Sequence, residues 1–204
     1  MTDELIETIR DTPEVLPYID IPVQHCDARI LKAMRRSGSR QELEDLFRDL
    51  RGLIPGIVIR STAMVGFPTE TDDEFRDLID FMDTVGFDYT SVFAYSREEG
   101  SLAAKMEGQV DEEVKLERAQ EAMDLAESLG FAADCRPCGR ARQVIVDGIE
   151  ETEDGAELIG HAWFQAPDSD GAVHLDASEA SVGDILTVEF TDSFCYELIG
   201  HVVE

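Results

Sequence analysis

Basic residues are scarce in this 204-residue chain, where 17 lysines and arginines stand against 45 aspartates and glutamates for a formal charge of -28. A field of that sign repels phosphate backbones. The composition therefore argues against a protein that holds nucleic acid through its own surface, and for either a solvated acidic surface or a basic partner. Cysteine is sparse too: Cys26, Cys135, Cys138 and Cys195 are too few and too scattered for a secreted disulfide scaffold. No apolar run is long enough to cross a bilayer, and Met1-Thr2-Asp3-Glu4 lacks the basic-then-apolar order of a secretory signal. A cytoplasmic address with no membrane partner is the resulting expectation. The hydrophobic fraction of 43% and charged fraction of 30% are those of a soluble globular chain, and the length suits two small domains.

The pattern changes character near residue 135. Before it, short apolar runs alternate with longer amphipathic stretches, which predicts strand-helix units around a parallel sheet. Strands are expected at "VLPYIDIPVQ" (15–24), "IVIRSTAMVGF" (57–67) and "FDYTSVFAYS" (87–96). Helices are expected after Thr2, over "DARILKAMRR", from Ser39 to about residue 53, over the segment carrying Phe75, Leu78, Ile79, Met82 and Val85, and from about Asp111 to a close at Gly130. Gly86 reads as a helix-ending glycine. Three βα units cannot close a barrel, so they form part of one or of a doubly wound sheet.

After the change the chain reads as five short strands separated by Gly, Asp, Ser and Pro, with no helix pattern. That predicts a small open β-barrel of oligonucleotide-binding type or a β-sandwich fragment. The fold class is thus α/β followed by all-β, with domains at 1–133 and 137–204 and Trp163, Phe164, Phe190 and Tyr196 filling the second core.

Ligands of parallel βα architectures bind where the strands end, because loops gather there and helix N-termini turn free amides outward. "VGFPTET" (65–71) is such an end. Gly66 lets backbone and ligand approach closely, Pro68 stiffens the exit, and Thr69 or Thr71 with Asp72, Asp73 and Glu74 caps the next helix. "DIPVQHCD" (20–27) brings Gln24, His25 and Cys26 to the same rim. His25 is a proton carrier, a ligand contact or a satisfied hydrogen-bonding residue; Cys26 reads as an inert small side chain. Arg60 lies inside a strand, so a carboxylate or a ligand must pair with it. "CRPC" (135–138) has the spacing of half a zinc site or a thiol pair, but Cys195, His161 and His201 do not supply a second close pair, and no metal role is assigned.

"PYIDIPVQH", "RSTAMVGFPTET" and "FAYSREEGSLAAKM", in that order and followed by a small β-domain, resemble the radical S-adenosylmethionine methylthiotransferases across residues 2–204. The resemblance implies a partial (β/α) radical-SAM barrel plus a TRAM domain. It implies S-adenosylmethionine as cofactor, with Gly66, Phe67 and Glu70 nearest its adenosyl part and Gln24, His25 and Arg60 lining the same cavity. Thr69 stands where the family has glycine. Members carry two 4Fe–4S clusters, one held by a CxxxCxxC motif, and use a deoxyadenosyl radical to prepare an unactivated carbon for a methylthio group. This chain has no CxxxCxxC, so alone it is expected to be inactive and to need an N-terminal part of the enzyme.

"DIPVQH" and "YSREEGSLAA" are similar to the branch that modifies an aspartate of ribosomal protein S-twelve. The sister branch modifies adenosine in tRNA, and a non-catalytic docking module is a third reading. Residues 137–204 hold two basic and 15 acidic residues, which suits a basic ribosomal protein and makes tRNA an unfavourable partner. Half a barrel leaves strand edges unpaired. Residues 1–130 expressed alone are therefore expected to dimerise or aggregate; a monodisperse monomer in sedimentation would contradict this.

Overall fold

Proline sets the length of the first strand. The computed structural model describes residues 1–134, 139–152, 155–176, 180–194 and 196–203. Helix α1 (Asp3–Asp11) starts at Thr2, whose hydroxyl caps the Leu5 amide, and turns Ile6 inward. The strand expected over 15–24 is only β1 (Tyr18–Asp20), because Pro17 and Pro22 have no N–H to give to a ladder. The chain rejoins the sheet at Gln24, whose N–H donates to Thr62 C=O at 2.8 Å and whose C=O accepts from Met64 N–H at 2.7 Å.

Helix α2 (Ala28–Ala33) is capped by Asp27 and α3 (Arg40–Leu53) by Ser39. They are followed by β2 (Val58–Val65), α4 (Asp72–Val85), β3 (Tyr89–Ala94) and α5 (Glu112–Asp134). Thr71, not Thr69, caps α4, and it does so with Glu74 in a reciprocal capping box. Gly86 ends α4 with φ +60°. Helix α5 runs past Gly130, where a close was expected, to Asp134. A lone glycine costs a helix only about 1 kcal/mol, and no proline follows before Arg136.

The three strands form a parallel sheet in the order β1-β2-β3, with Asp20 beside Arg60, Arg60 beside Tyr89, and Met64 beside Phe93. Along β2, Ile59, Ser61, Ala63 and Val65 are buried while Val58, Arg60, Thr62 and Met64 are only partly covered. The buried face meets Phe47 and Leu50 of α3, Leu78, Phe81 and Met82 of α4, and Ala119, Ala122 and Ala126 of α5. Phe87 stands edge-on to Phe47 and Phe81 at ring distances of 5.0 and 5.9 Å. Burying three such rings with their aliphatic neighbours supplies the apolar stabilisation of this layer. On the other face Met64 packs with Ile30, Ala33 and Met34 of the α2 segment and with Phe67 and Tyr95 in a second, smaller cluster.

Contacts divide the chain into Met1–Leu129 and Gly130–Glu204. In the second unit β4 (Ala141–Thr152), β5 (Gly155–Ala162), β6 (Val173–Asp176), β7 (Ile185–Phe194) and β8 (Glu197–Val202) close into a barrel in the order β4-β5-β6-β8-β7. Closure distinguishes this unit from a sandwich and removes its strand edges. Val144, Val146, Leu158, Val173, Leu175, Val188, Phe190 and Leu198 fill its centre. Of the four aromatics expected in that core, Phe190 is buried and Phe164 packs against it at 6.1 Å. Trp163 and Tyr196 are only half-buried.

One ion pair locks α2 to α4. The Arg29 guanidinium holds both oxygens of Glu74, at 2.7 and 2.6 Å, and also the Thr69 hydroxyl and carbonyl. These hydrogen bonds outweigh burial and hold the Glu74 carboxyl down from 4.5 to about 2. A depressed carboxyl stabilises the fold above its unfolded value and loses that contribution as pH falls through its folded value. Glu74→Gln is thus expected to unfold about 2 kcal/mol more easily than the parent at pH 7, with the gap closing between pH 4.5 and about 2 in urea titrations.

Candidate functional site

The end of β2 is built around a buried carboxylate. Gly66, at φ +72°, donates its amide to both oxygens of Glu70, at 2.9 and 3.0 Å. Between them Pro68 and Thr69 form the corner of a turn closed by Glu70 N–H to Phe67 C=O at 2.9 Å. Thr69 takes φ +71°. Proline second and a positive φ third is the type II pattern, whose third position favours glycine. Here a β-branched residue is held there by Arg29 and by its own N–H to Gly108 C=O at 2.7 Å.

Two cations of α5, one turn apart, complete the support. Arg118 donates to Glu70 Oε1 at 2.7 Å and pairs with Asp72. Lys115 is 2% exposed on its side chain, donates to Tyr95 C=O at 3.2 Å and pairs with Glu112. Its stem lies where a Cβ on Gly66 would be, so the close neighbour of Gly66 is this lysine. His25 is fully buried behind the turn. Its Nδ1 accepts from the Asp27 amide at 3.0 Å, which places the neutral ring's hydrogen on Nε2. Nε2 lies 3.6 Å from Glu70 and finds no hydrogen-bond partner among the described residues.

In front of the turn, at the C-terminal ends of β2 and β3, is a cavity of about 680 Å³, within the range of small-molecule sites. Gln24, Met34, Met64, Phe67, Phe93 and Tyr95 contribute to its wall. Phe67 and Tyr95 meet edge-on at 5.4 Å, and Phe93 is 55% exposed. The Tyr95 hydroxyl is buried without a partner among the described residues.

Of the six residues singled out from the sequence, the structure places Gln24 and Phe67 on the cavity wall and Gly66, Glu70 and His25 together behind it. Arg60 is elsewhere. It sits four residues upstream of Met64 on the same sheet face, bonded to Asp20 at 3.0 Å and to Ser91 at 2.8 Å, so a carboxylate supplies the partner its strand position demanded. Sequence reasoning missed Lys115 and Arg118. Two cations three residues apart on an otherwise apolar helix face were the available signal.

Arg35, which also lines the cavity, was missed as well. It follows α2 in a Schellman ending: Arg36 N–H donates to Leu31 C=O at 2.8 Å and Arg35 N–H to Lys32 C=O at 3.1 Å. Arg35 occupies the left-handed position at φ +60°, which costs a non-glycine residue roughly 1–2 kcal/mol.

The described residues do not fit an iron-sulfur cluster. Cys26 is buried, donates to Asp77 C=O at 3.5 Å, and burial pushes its thiol up to about 12, so it keeps its proton. No group of three or more His, Cys, Asp or Glu is placed to hold a metal among the described residues. Cys135, Cys138 and Cys195 lie outside them. A nucleoside cofactor fits better, since the cavity is largely apolar and has the edge-on Phe67–Tyr95 pair on its wall. No helix among the described residues is long and apolar enough to cross a membrane.

Residues 1–82 match the Radical SAM superfamily and residues 138–203 match the TRAM domain. The chain therefore joins a radical SAM segment, a class that works with S-adenosylmethionine and iron-sulfur clusters, to a TRAM barrel. Over its whole length it is 44% identical to the ribosomal protein uS12 methylthiotransferases RimO of Geobacter sulfurreducens and Pelobacter propionicus, and 37% identical to that of Desulforamulus reducens. The chain spans 45% of the length of the first two relatives and 46% of the third.

Glu70 carries the support of the turn. Glu70→Gln keeps an acceptor for the Gly66 amide but removes the charge that faces Arg118. It is expected to lower the unfolding free energy by about 3 kcal/mol in denaturant titration. A loss under 1 kcal/mol would mean that Asp72 alone neutralises the arginine.

Proposed function

We propose that this chain is the C-terminal portion of a ribosomal protein uS12 methylthiotransferase, divided at 1–133 and 137–204 into barrel and TRAM domains, and that it works with an N-terminal part bearing two 4Fe–4S clusters. The observation that carries the reading is identity of 44% across all 204 residues to relatives named for this activity. When bound, S-adenosylmethionine supplies the radical chemistry of the superfamily; this chain's residues bind and orient it. Phe67 and Tyr95 offer flat apolar surface to a nucleoside base, and Gln24 offers an amide at the same wall. Gly66, Glu70, Arg118 and Lys115 act one layer back by fixing the Phe67 backbone. His25 and Arg60 belong to that supporting layer and to the sheet face.

Charge supports a basic protein substrate over tRNA. The TRAM segment, 137–204, has two basic and 15 acidic residues, and a surface of that sign must be neutralised before RNA can approach. The test titrates the whole chain with uS12 and with tRNA over a salt series. The expected result is uS12 binding that weakens as salt rises, with no measurable tRNA complex. Tighter binding to tRNA would move the assignment to the tRNA-modifying branch.

A further inference from the structure

Most arginines around the first sheet are committed to partners within the protein: Arg29 to Glu74, Arg40 to Glu44, Arg51 to Asp88, Arg60 to Asp20 and Arg118 to Glu70. Arg36 donates to Pro22 C=O. Arg35 differs. Its guanidinium has no ion pair or hydrogen bond among the described residues, it is exposed, and it lies on the wall of the cavity with Gln24, Phe67, Phe93 and Tyr95. The carboxylate on that wall, Glu98, accepts instead from the Ser96 hydroxyl at 2.8 Å. In a chain with 45 acidic residues, a cation left without a partner at the mouth of an apolar cavity is out of keeping with its surroundings.

The backbone adds an independent observation. Arg35 fills the left-handed position that ends α2, where glycine is the favoured residue. A non-glycine residue kept in left-handed backbone beside a cavity is the kind of outlier from which a role can be argued. A planar guanidinium with five donors matches the two oxygens of a carboxylate.

We propose that the Arg35 guanidinium takes a carboxylate of the ligand that enters this cavity, and that this carboxylate belongs to the aspartate of the protein substrate. The choice of ligand rests on the methylthiotransferase reading; the role of the arginine does not. The amino-acid part of S-adenosylmethionine has the same chemistry, so the experiment separates the two.

The parent chain and Arg35→Gly are titrated with S-adenosylmethionine, with uS12, and with uS12 whose target aspartate is replaced by asparagine. Glycine suits the position, so the variant is expected to melt no lower than the parent, and lost binding is then not misfolding. The parent is expected to prefer the aspartate form about tenfold, and Arg35→Gly to lose that preference while its affinity for the cofactor is unchanged. Arg35→Lys should restore only part, because an ammonium lacks the fork. If instead Arg35→Gly loses about tenfold in cofactor affinity and keeps the aspartate preference, the arginine's role stands and its carboxylate is the cofactor's. A variant that binds every probe as the parent does overturns the proposal, as does a parent that binds none. A parent that takes up cofactor but not uS12 defeats the protein-substrate reading, and the cofactor arm still judges Arg35.

Discussion

The carboxylate of Glu70 is the point on which the ligand end of the first unit depends. It is buried, and a buried charge persists only where donors surround it. Here the Gly66 amide and the Arg118 guanidinium do so. They come from different pieces of chain: the exit of β2 and the second turn of α5. One side chain therefore ties the turn after β2 to α5 and sets where Phe67 stands. Lys115 repeats the logic one turn away, filling the space a side chain at Gly66 would need and reaching across to the Tyr95 carbonyl. The glycine of the turn serves internal packing first, and the ligand surface is what that packing holds in place.

Charge is distributed with the same economy. A chain so acidic has few cations, and most of the arginines near the first sheet neutralise a carboxylate: Arg29, Arg40, Arg51, Arg60 and Arg118. The outer surface is left strongly negative, which favours encounter with basic partners and disfavours nucleic acid. Against that background an unengaged arginine beside the cavity is informative, whereas an unengaged glutamate on the surface would not be.

Periodicity and capping chemistry made much of the architecture legible. The alternation in "VIRSTAMV", the Thr71–Glu74 box and the helix-ending Gly86 each depend on residues close in sequence, and each element appears where those residues put it. The five-strand pattern after residue 140 was equally local, though it left barrel and sandwich undivided until the strands were paired. Errors fell where a local rule met a competing one: Pro17 and Pro22 shortened β1, and good helix formers carried α5 through Gly130.

The candidate site was legible as a place more than as a set of contacts. Local pattern was enough to show that a strand ends on "VGFPTET", that a helix follows, and that Gln24 and His25 arrive at the same rim, because these follow from strand ends and turn chemistry. Which side chains face the cavity and which support it depends on contacts formed in the folded chain. Glu70 turns inward because Arg118, 48 residues later, meets it. Arg60 pairs with Asp20 because the parallel register sets them side by side. Arg35 reaches the wall through a left-handed helix ending. Such contacts join residues far apart along the chain, and no pattern within a single segment contains them.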